Sequence, residues 1–400
     1  MKLHLLRLAF LLVLCPAVLP AQAAPASLTI KVDSPVFVFS PGNWTGDTER
    51  GGSAYRETWY PGAYFRVRWT TPNDTPNAEL FLDTSIYGDK VKNPPEITYS
   101  IDGIWTAGVK AADRIAIKNL KGSGQHTLTV YVKTSEQADR WGSANASGLN
   151  IVRVTGLAVD ANSEPVSQPP ATRWALIVGD SITEGSAADF GTSDNLASWG
   201  FFVGAGLQSL GYEYGISACG YSGWLRPGDR TRDVPGYYVV SGSRNGLGGT
   251  YDDARSRWNK IDAGHSLLDT AGHLSAYGRT GQEPSIILIN YATNDVLSHV
   301  NSSDLQASIT QSIQALHQAA PDAPIVIIVP FGQYGVTEIK SAVATCKAAN
   351  PGAKLAIIDL GPDVARGLAA NGYWSSLHPN MRGHATLAAQ ILAQVVPLLP

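Results

Sequence analysis

The pattern of hydrophobic positions divides the chain into two parts. In residues 24–160, short segments alternate apolar and polar side chains and end at turns such as Pro61-Gly62 and Asp102-Gly103. Many short strands without long helical periods predict an all-β domain of the jelly-roll or sandwich type. The predicted strands are Leu28–Val32, Tyr64–Trp69, Ala78–Asp83, Glu96–Ser100, Arg114–Lys118 and His126–Val132.

Residues 174–400 show a different period. Continuous apolar runs such as Trp174–Val178 and Ile286–Ile289 are typical of strands that are buried on both faces of a parallel sheet. Between the runs, apolar residues such as Leu305, Ile309 and Ile313 recur at helical spacing. This alternation predicts a three-layer α/β/α domain with its site at the carboxyl ends of the strands. Further predicted elements are the strands Tyr214–Ala218, Ile325–Val329 and Leu355–Ile358 and the helices Ala197–Leu210, Ser303–Ala319, Val336–Ala349 and Met381–Val396.

Two other segments complete the predicted organisation. Residues 1–23 have Lys2 and Arg7 before or at the edge of a short apolar run and end on small residues, which is typical of a cleaved signal peptide. The run is shorter than the ~20 residues that a membrane span needs. The sequence therefore predicts an exported protein, periplasmic or extracellular, with no membrane insertion after cleavage. Residues 161–173 are rich in proline and serine, which indicates a linker.

Composition excludes several classes of protein. With 44% hydrophobic and 16% charged residues, the chain is unlike a disordered, collagen-like or coiled-coil protein. The net charge is −3 and no basic block stands out, so we expect no nucleic-acid partner. Cys219 and Cys346 would remain after removal of the leader, either as a disulfide or as two buried thiols. Neither belongs to a Cys/His cluster, so no metal site is predicted.

Candidate chemistry lies directly after the predicted strands. Ser181 follows the run Trp174–Val178, and a serine at such a strand-to-helix turn presents its hydroxyl at the carboxyl edge of the sheet. A serine nucleophile needs a base, and His378 near the end of the chain is the candidate. The reaction also needs donors for an oxyanion. The amides of Ser181 and Gly223 and the side chain of Asn294 are the predicted donors.

Four short motifs in this order resemble the SGNH (GDSL) hydrolases. They are Gly-Asp-Ser-Ile-Thr at 179–183, the glycine of Tyr-Ser-Gly-Trp at 221–224, Thr-Asn-Asp at 293–295 and Leu-His-Pro-Asn-x-x-Gly-His at 377–384. The resemblance covers about residues 174–400. It implies that Ser181 is the nucleophile, that His378 is the base, and that Gly223 and Asn294 complete an oxyanion hole with the Ser181 amide. No cofactor and no metal are implied.

The β-rich part adds a second resemblance. Gly62–Val67 and Leu120–Tyr131 resemble the N-terminal domain of carbohydrate-esterase family 2, in which a jelly roll precedes the SGNH domain. The family's substrates are acetylated polysaccharides. Two positions depart from the SGNH motifs: Ala292 replaces a glycine, and Ser375 replaces the aspartate three residues before the histidine. Some family members work as a Ser–His dyad, which this chain then resembles.

The missing aspartate leaves the orientation of His378 open. Without a carboxylate, another acceptor must fix the imidazole tautomer. The nearest candidates are the Ser375 hydroxyl and a main-chain carbonyl of the turn Trp374–Ser376, and we expect the carbonyl to be used. A distant acid such as Asp363 is a further candidate, which only folding could bring to the site. Asp180 and Asp295 are expected to brace loops, and His384 is expected to be structural.

Aromatic side chains beside the motifs are candidates for binding a sugar. Trp224, Tyr291 and Trp374 are the predicted positions. The long connection 224–282 is also rich in arginine, tyrosine and tryptophan, and long loops often carry function. The alternative is that these side chains pack the connection onto the sheet. Trp258 within it is expected in a helix.

Three functions remain open from the sequence. The first is an esterase that removes acetyl groups from an oligosaccharide or polysaccharide through an acyl-serine. The second is a transacylase that acts on an exported polysaccharide. The third is a glycan-binding protein with a decayed hydrolase domain. The expected partner in each case is an acylated or related carbohydrate, and the oligomeric state is open.

Overall fold

A computed structural model describes residues 27–47, 54–89, 91–142, 149–169, 171–250, 255–276, 282–362 and 372–400. The predicted leader at residues 1–23 lies outside the described residues. Within the described ranges, no helix is both long enough and apolar enough to cross a membrane.

The N-terminal part is built from two antiparallel sheets. Its strands are β1 (Ser27–Lys31), β2 (Phe37–Phe39), β3 (Thr45–Asp47), β4 (Tyr55–Thr58), β5 (Tyr64–Thr71), β6 (Ala78–Leu82), β7 (Glu96–Ile101), β8 (Ile104–Trp105), β9 (Val109–Lys110), β10 (Arg114–Ala116), β11 (Gly124–Thr134), β12 (Val152–Asp160) and β13 (Glu164–Pro165). One sheet has the order β10-β6-β12-β4-β3 with β1 also on β12. The other has the order β13-β5-β11-β7-β8, with β2 on β5 and β9 on β7.

Alternation along the strands explains this part of the fold. In β5, Phe65, Val67 and Trp69 are buried in the core, whereas Arg66 and Arg68 between them are half-buried on the other face. This period of two is the pattern that predicted the strand. The structure confirms a β-rich N-terminal part.

The C-terminal part contains a five-stranded parallel sheet. Its elements are β14 (Trp174–Gly179), α1 (Ser181–Glu184), α2 (Trp199–Ser209), β15 (Glu213–Ala218), β16 (Ile286–Asn290), α3 (Thr293–Leu297), α4 (Ser302–Ala319), β17 (Ile325–Ile328), α5 (Val336–Ala349), β18 (Leu355–Ile358) and α6 (Met381–Val395). The strand order is β15-β14-β16-β17-β18. The predicted strands and helices of this part are confirmed to within two residues at each end.

Helices cover both faces of this sheet. Leu176 and Val178 of β14 share a core with α4 and α5, whereas their neighbours Ala175 and Ile177 share a core with α2 and α6. Both sets of side chains are fully buried, which explains why the sequence of β14 is a continuous apolar run. The predicted α/β class and the parallel sheet are therefore confirmed.

Two predicted segments have a different structure. Trp258 lies in a turn outside any helix, so the helix expected there is wrong. The predicted linker 161–173 contains β13, in which Glu164 pairs with Thr70 and Pro165 with Trp69. A proline at the start or edge of a sheet is tolerated because no ladder bond needs its missing N–H.

The two parts share polar contacts and an apolar core. The indole N–H of Trp59 and the hydroxyl of Tyr60 donate to the carbonyl of Ile261 over 2.7 and 2.9 Å. Arg66 of β5 forms an ion pair with Glu213 of β15. One hydrophobic cluster continues from the β sheets to one face of the parallel sheet. Cys219 and Cys346 are buried free thiols, which confirms the second of the two alternatives for them.

Candidate active site

Ser181 lies where the first parallel strand turns into a helix. Asp180 is the N-cap of α1, and its side chain accepts a hydrogen bond from the amide of Ile182 over 2.9 Å. The turn is tight, because a Cβ on Gly179 would lie 1.9 Å from Thr183 Oγ1. Since β14 stands between β15 and β16, Ser181 lies at the carboxyl edge beside the point where the sheet reverses its direction of winding. Ligands bind at this place in open α/β sheets.

His378 reaches Ser181 from the other end of the chain. Its Nε2 lies 3.0 Å from Oγ of Ser181. The loop is closed by main-chain bonds: the amide of Trp374 donates to the carbonyl of His378 over 3.0 Å, and Asn380 caps α6. The distance between the hydroxyl and the imidazole is within the range that proton transfer to a general base requires.

The imidazole of His378 is not oriented in the predicted way. Oγ of Ser375 accepts hydrogen bonds from the main-chain amides of Leu377 and His378, over 3.3 and 3.1 Å. The main-chain amide of Trp374 likewise bonds to the main-chain carbonyl of His378, and not to its ring. Among the residues that the structure describes, Nδ1 of His378 has no hydrogen-bond partner. Trp374 and Ser375 therefore hold the loop and leave the ring nitrogen alone, which corrects the expectation for both residues.

Burial determines the charge state of this histidine. It lowers the pKa of His378 below its usual range, and the negative charge of Glu184 opposes the shift. A lowered pKa keeps the imidazole neutral near pH 7. A neutral imidazole can accept the proton of Ser181.

The three predicted oxyanion donors differ in whether their N–H groups already donate a hydrogen bond. The side-chain amide of Asn294 donates one N–H to the carbonyl of Ser222 over 2.9 Å and keeps a second N–H. The amide of Ser181 is in the first turn of α1, where N–H groups have no partner within a helix. The amide of Gly223 instead donates to the carbonyl of Arg226 over 3.0 Å. An oxyanion could use the Gly223 amide after this bond opens, which corrects the simple expectation for that residue.

Asp295 holds the turn that contains Gly223. Its carboxylate accepts hydrogen bonds from the main-chain amides of Trp224, Leu225 and Arg226 over 2.8, 2.9 and 3.0 Å. Burial raises the pKa of Asp295, and these hydrogen bonds oppose the shift. A Cβ on Gly223 would lie 2.1 Å from Oδ2 of Asp295, so this close approach requires glycine. Asp295 thus braces the loop, in agreement with the expectation.

Two predicted substrate contacts are buried. Trp224 and Tyr291 have fully buried side chains, and their rings lie edge to face with centroids 5.8 Å apart. The hydroxyl of Tyr291 bonds to Ser222 and to the buried Arg257. These aromatic residues pack the long connection onto the sheet, so the prediction that Trp224 and Tyr291 contact substrate is not supported.

Exposed aromatic side chains do occur close in sequence to the motifs. Trp374 is 57% exposed, and its ring packs over Gly191, where a Cβ would lie 2.5 Å from it. Phe190 and Tyr221 are 48% and 41% exposed. Phe190 and Tyr221 were not predicted, because only their closeness in sequence to Ser181 and Gly223 pointed to them.

Ala292 has an unusual backbone conformation. Its φ is +118°, in the region that favours glycine, and its side chain is fully buried. Alanine in place of the glycine of the motif is tolerable only on the assumption that the backbone angles are ordinary. The structure contradicts that assumption, so the replacement of glycine by alanine carries strain.

A comparison with protein families assigns the C-terminal part of the chain to a family. The sequence model of the GDSL-like lipase/acylhydrolase family matches residues 177–386, which span β14 to α6 and contain Ser181, Asn294 and His378. This match covers more than half of the chain. The chain belongs to the GDSL-like lipase/acylhydrolase family.

Solved structures share the whole fold. The chain is similar to a family two carbohydrate esterase from Clostridium thermocellum in complex with cellohexaose, with a TM-score of 0.61 and 15% identity over 91% of this chain and 100% of the other. The chain is also similar to an acetyl xylan esterase from Butyrivibrio proteoclasticus, with a TM-score of 0.64 and 14% identity over 94% of this chain and 98% of the other. A third similar structure is a salicylyl-acyltransferase from a tetracycline biosynthetic pathway, with a TM-score of 0.59 and 12% identity over 94% of this chain and 98% of the other. No curated protein sequence matches the chain.

Proposed function

We propose that the protein is an exported esterase that removes acetyl groups from an oligosaccharide or polysaccharide. The observation that carries this proposal is the 3.0 Å contact between Ser181 Oγ and His378 Nε2 at the switch point of the parallel sheet. Membership of an acylhydrolase family supports the reaction type. An intact pair also favours an active enzyme over a decayed, purely glycan-binding domain.

The proposed mechanism uses an acyl-serine. His378 takes the proton of Ser181 while Oγ attacks the ester carbonyl, and the carbonyl oxygen becomes an oxyanion. The Ser181 amide and the second N–H of Asn294 stabilise the oxyanion, and the Gly223 amide joins them when its bond to Arg226 opens. His378 then gives the proton to the leaving alcohol, water attacks the acyl-serine with His378 as base, and acetate leaves.

The proposed substrate follows from the surroundings of the pair. Trp374, Phe190 and Tyr221 expose aromatic surface, and rings of this kind stack on the C–H faces of sugars. Two of the similar structures are by their titles a carbohydrate esterase and an acetyl xylan esterase. We further propose that residues 1–23 are removed on export, that residues 24–160 are a jelly-roll domain and that residues 174–400 are the hydrolase domain.

A transacylase is the second candidate. The similarity to a salicylyl-acyltransferase over 94% of this chain favours it, since one acyl-serine can serve both reactions. The two differ in the acceptor, which is water in one case and a sugar hydroxyl in the other.

The test measures the release of p-nitrophenol from acetyl and octanoyl esters and of acetate from acetylated xylan, with and without an added sugar acceptor. We expect the acetyl ester to react faster than the octanoyl ester, and Ser181→Ala to lower kcat by about 10⁶-fold. Asn294→Ala should lower it by about 10²–10³-fold, because one oxyanion donor is lost.

Three results would change the proposal. If Ser181→Ala keeps more than a tenth of the activity, Ser181 is not the nucleophile. Faster turnover of the octanoyl ester favours a lipase. Transfer of the acetyl group to the sugar, in preference to water, favours the transacylase.

A further inference from the structure

A buried carboxylate lies one helical turn after the proposed nucleophile. Glu184 ends α1, three residues after Ser181, and residues at this spacing lie on the same face of a helix. Both of its carboxylate oxygens are bound by residues of the β-rich part. Oε1 accepts from Arg140 Nη1 and Oε2 from Gln137 Nε2, each over 2.5 Å. Gln137 also donates to Ser186 over 2.9 Å, so it holds the chain on both sides of Gly185.

Arg140 stands between two buried acids. Its guanidinium donates to Glu184 on one side and to both oxygens of Asp229 on the other, over 2.9 and 3.3 Å. The three side chains are almost completely buried. One arginine facing two carboxylates leaves an excess of negative charge in this cluster. Burying such charges is expensive unless they are paired and hydrogen-bonded, which these are.

Among the described residues, which do not include Asp363, no carboxylate bonds to the imidazole of His378. In a full triad, a carboxylate stabilises the imidazolium that forms when the serine attacks. In the part of the chain that the structure describes, no group bonds to Nδ1 of His378. Glu184 ends the helix that begins at Ser181, and its negative charge opposes the lowering of the pKa of His378.

We propose that Glu184 replaces the missing triad acid at a distance: it stabilises the imidazolium of His378 without a hydrogen bond, and Arg140 and Gln137 hold it in position. Glu184 is thus a positioning residue that acts through His378. The β-rich part would then belong to the catalytic machinery, since it supplies both residues that fix Glu184. This proposal rests on the function proposed above.

Other titratable groups also face this cluster of Glu184, Arg140 and Asp229. Burial raises the pKa of Asp180 to about 7 and that of the Cys219 thiol to about 12, so the thiol stays neutral. Burial lowers the pKa of His384 to about 3, so its ring is neutral. The groups that face Glu184, Arg140 or His378 from the surrounding elements are Asp180, Cys219, Asp229 and His384, and Arg257 in turn faces Cys219.

The test compares Glu184→Gln with Asp229→Asn in the full chain. Both variants replace a carboxylate partner of Arg140 with an amide of the same shape, but of the two acids only Glu184 lies on the helix that begins at Ser181. The readout is the pH profile of kcat/KM for p-nitrophenyl acetate. Removal of the Glu184 charge should lower the pKa of the catalytic base, so the acidic limb moves to lower pH by about one unit. The same change should lower kcat about tenfold with KM unchanged.

The control and the contradicting results are distinct. Asp229→Asn should move the acidic limb of the pH profile by less than about a third of the shift expected for Glu184→Gln. An unmoved limb in Glu184→Gln, or equal movement in both variants, overturns the proposal. If Glu184→Gln does not fold, Arg140→Gln removes the cation and should move the limb to higher pH; an unmoved limb overturns the proposal here too. Activity that survives Ser181→Ala refutes instead the proposed function on which the inference rests.

Discussion

At the scale of single residues, the site depends on how His378 is held. Its loop is fixed through main-chain bonds to Ser375 and Trp374, whereas its ring is fixed by the contact with Ser181. The sequence showed that an acid was missing at position 375. It could not show what the serine does there, because a hydroxyl can donate or accept toward any neighbour.

Ser375→Ala tests this division of roles. The hydroxyl accepts two amides in an exposed turn, so its loss should loosen the loop slightly and lower kcat by less than tenfold, or about 1.4 kcal/mol. Ser375→Asp, which can accept the same amides, is the control. A loss near the ~10⁴-fold seen when a triad acid is neutralised would mean that Ser375 orients the ring.

Ala292 gives a second prediction at this scale. At φ +118° its Cβ is strained by about 1–3 kcal/mol, and glycine removes this strain at an entropic cost of about 0.4–1 kcal/mol in the unfolded chain. Ala292→Gly should therefore raise the free energy of unfolding in urea by about 1 kcal/mol. Ala323→Gly, at a buried loop position without positive φ, should lower it. Destabilisation by both variants would show that the strain at Ala292 is negligible.

At the scale of elements, the turn between β15 and the long connection is fixed by one carboxylate. Gly223→Ala would place a Cβ 2.1 Å from Asp295, so the turn must move and its amides lose their acceptor. We expect kcat/KM to fall by at least about 10²-fold and the free energy of unfolding to fall by about 1–3 kcal/mol. Gly352→Ala, where the nearest atom is 3.6 Å away, is the matched control and should change neither. Wild-type activity in Gly223→Ala would exclude this turn from the site.

The sequence predicts elements better than it predicts loops. β14, β16, β17 and β18 contain continuous apolar runs because helices cover both faces of the sheet, and α5 has the predicted bounds Val336–Ala349. The Ser181–His378 pair follows from motifs at strand ends. The burial of Trp224 and Tyr291 could not be predicted, because an aromatic residue in a loop suits a core and a binding surface equally well. For the same reason Phe190 and Tyr221 were missed.

At the scale of the whole molecule, the two parts are joined by contacts that the sequence does not reveal. Arg140 meets Glu184 and Asp229 across a separation of more than forty residues, and Trp59 meets Ile261 across two hundred. The run 161–173, which is rich in proline and serine, predicted a linker between two domains. Long-range pairs of this kind have no local sequence pattern, because folding alone brings them together.

These contacts predict that the described parts unfold together. Because one hydrophobic cluster and several buried ion pairs join them, heating should give a single transition. Tryptophan fluorescence, far-ultraviolet circular dichroism and residual esterase activity should report the same midpoint. Two separated transitions, or loss of activity well before loss of structure, would show that the parts are independent.

The central claim is that Ser181 is a nucleophile activated by His378. The most direct measurement is covalent labelling with a p-nitrophenyl phosphonate ester, which mimics the tetrahedral intermediate, followed by mass spectrometry of the intact protein and its peptides. The account predicts one adduct per chain on Ser181, none in Ser181→Ala, and labelling slowed by a large factor in His378→Ala. No adduct on the folded protein, or an adduct on another residue at the same rate in Ser181→Ala, would contradict it.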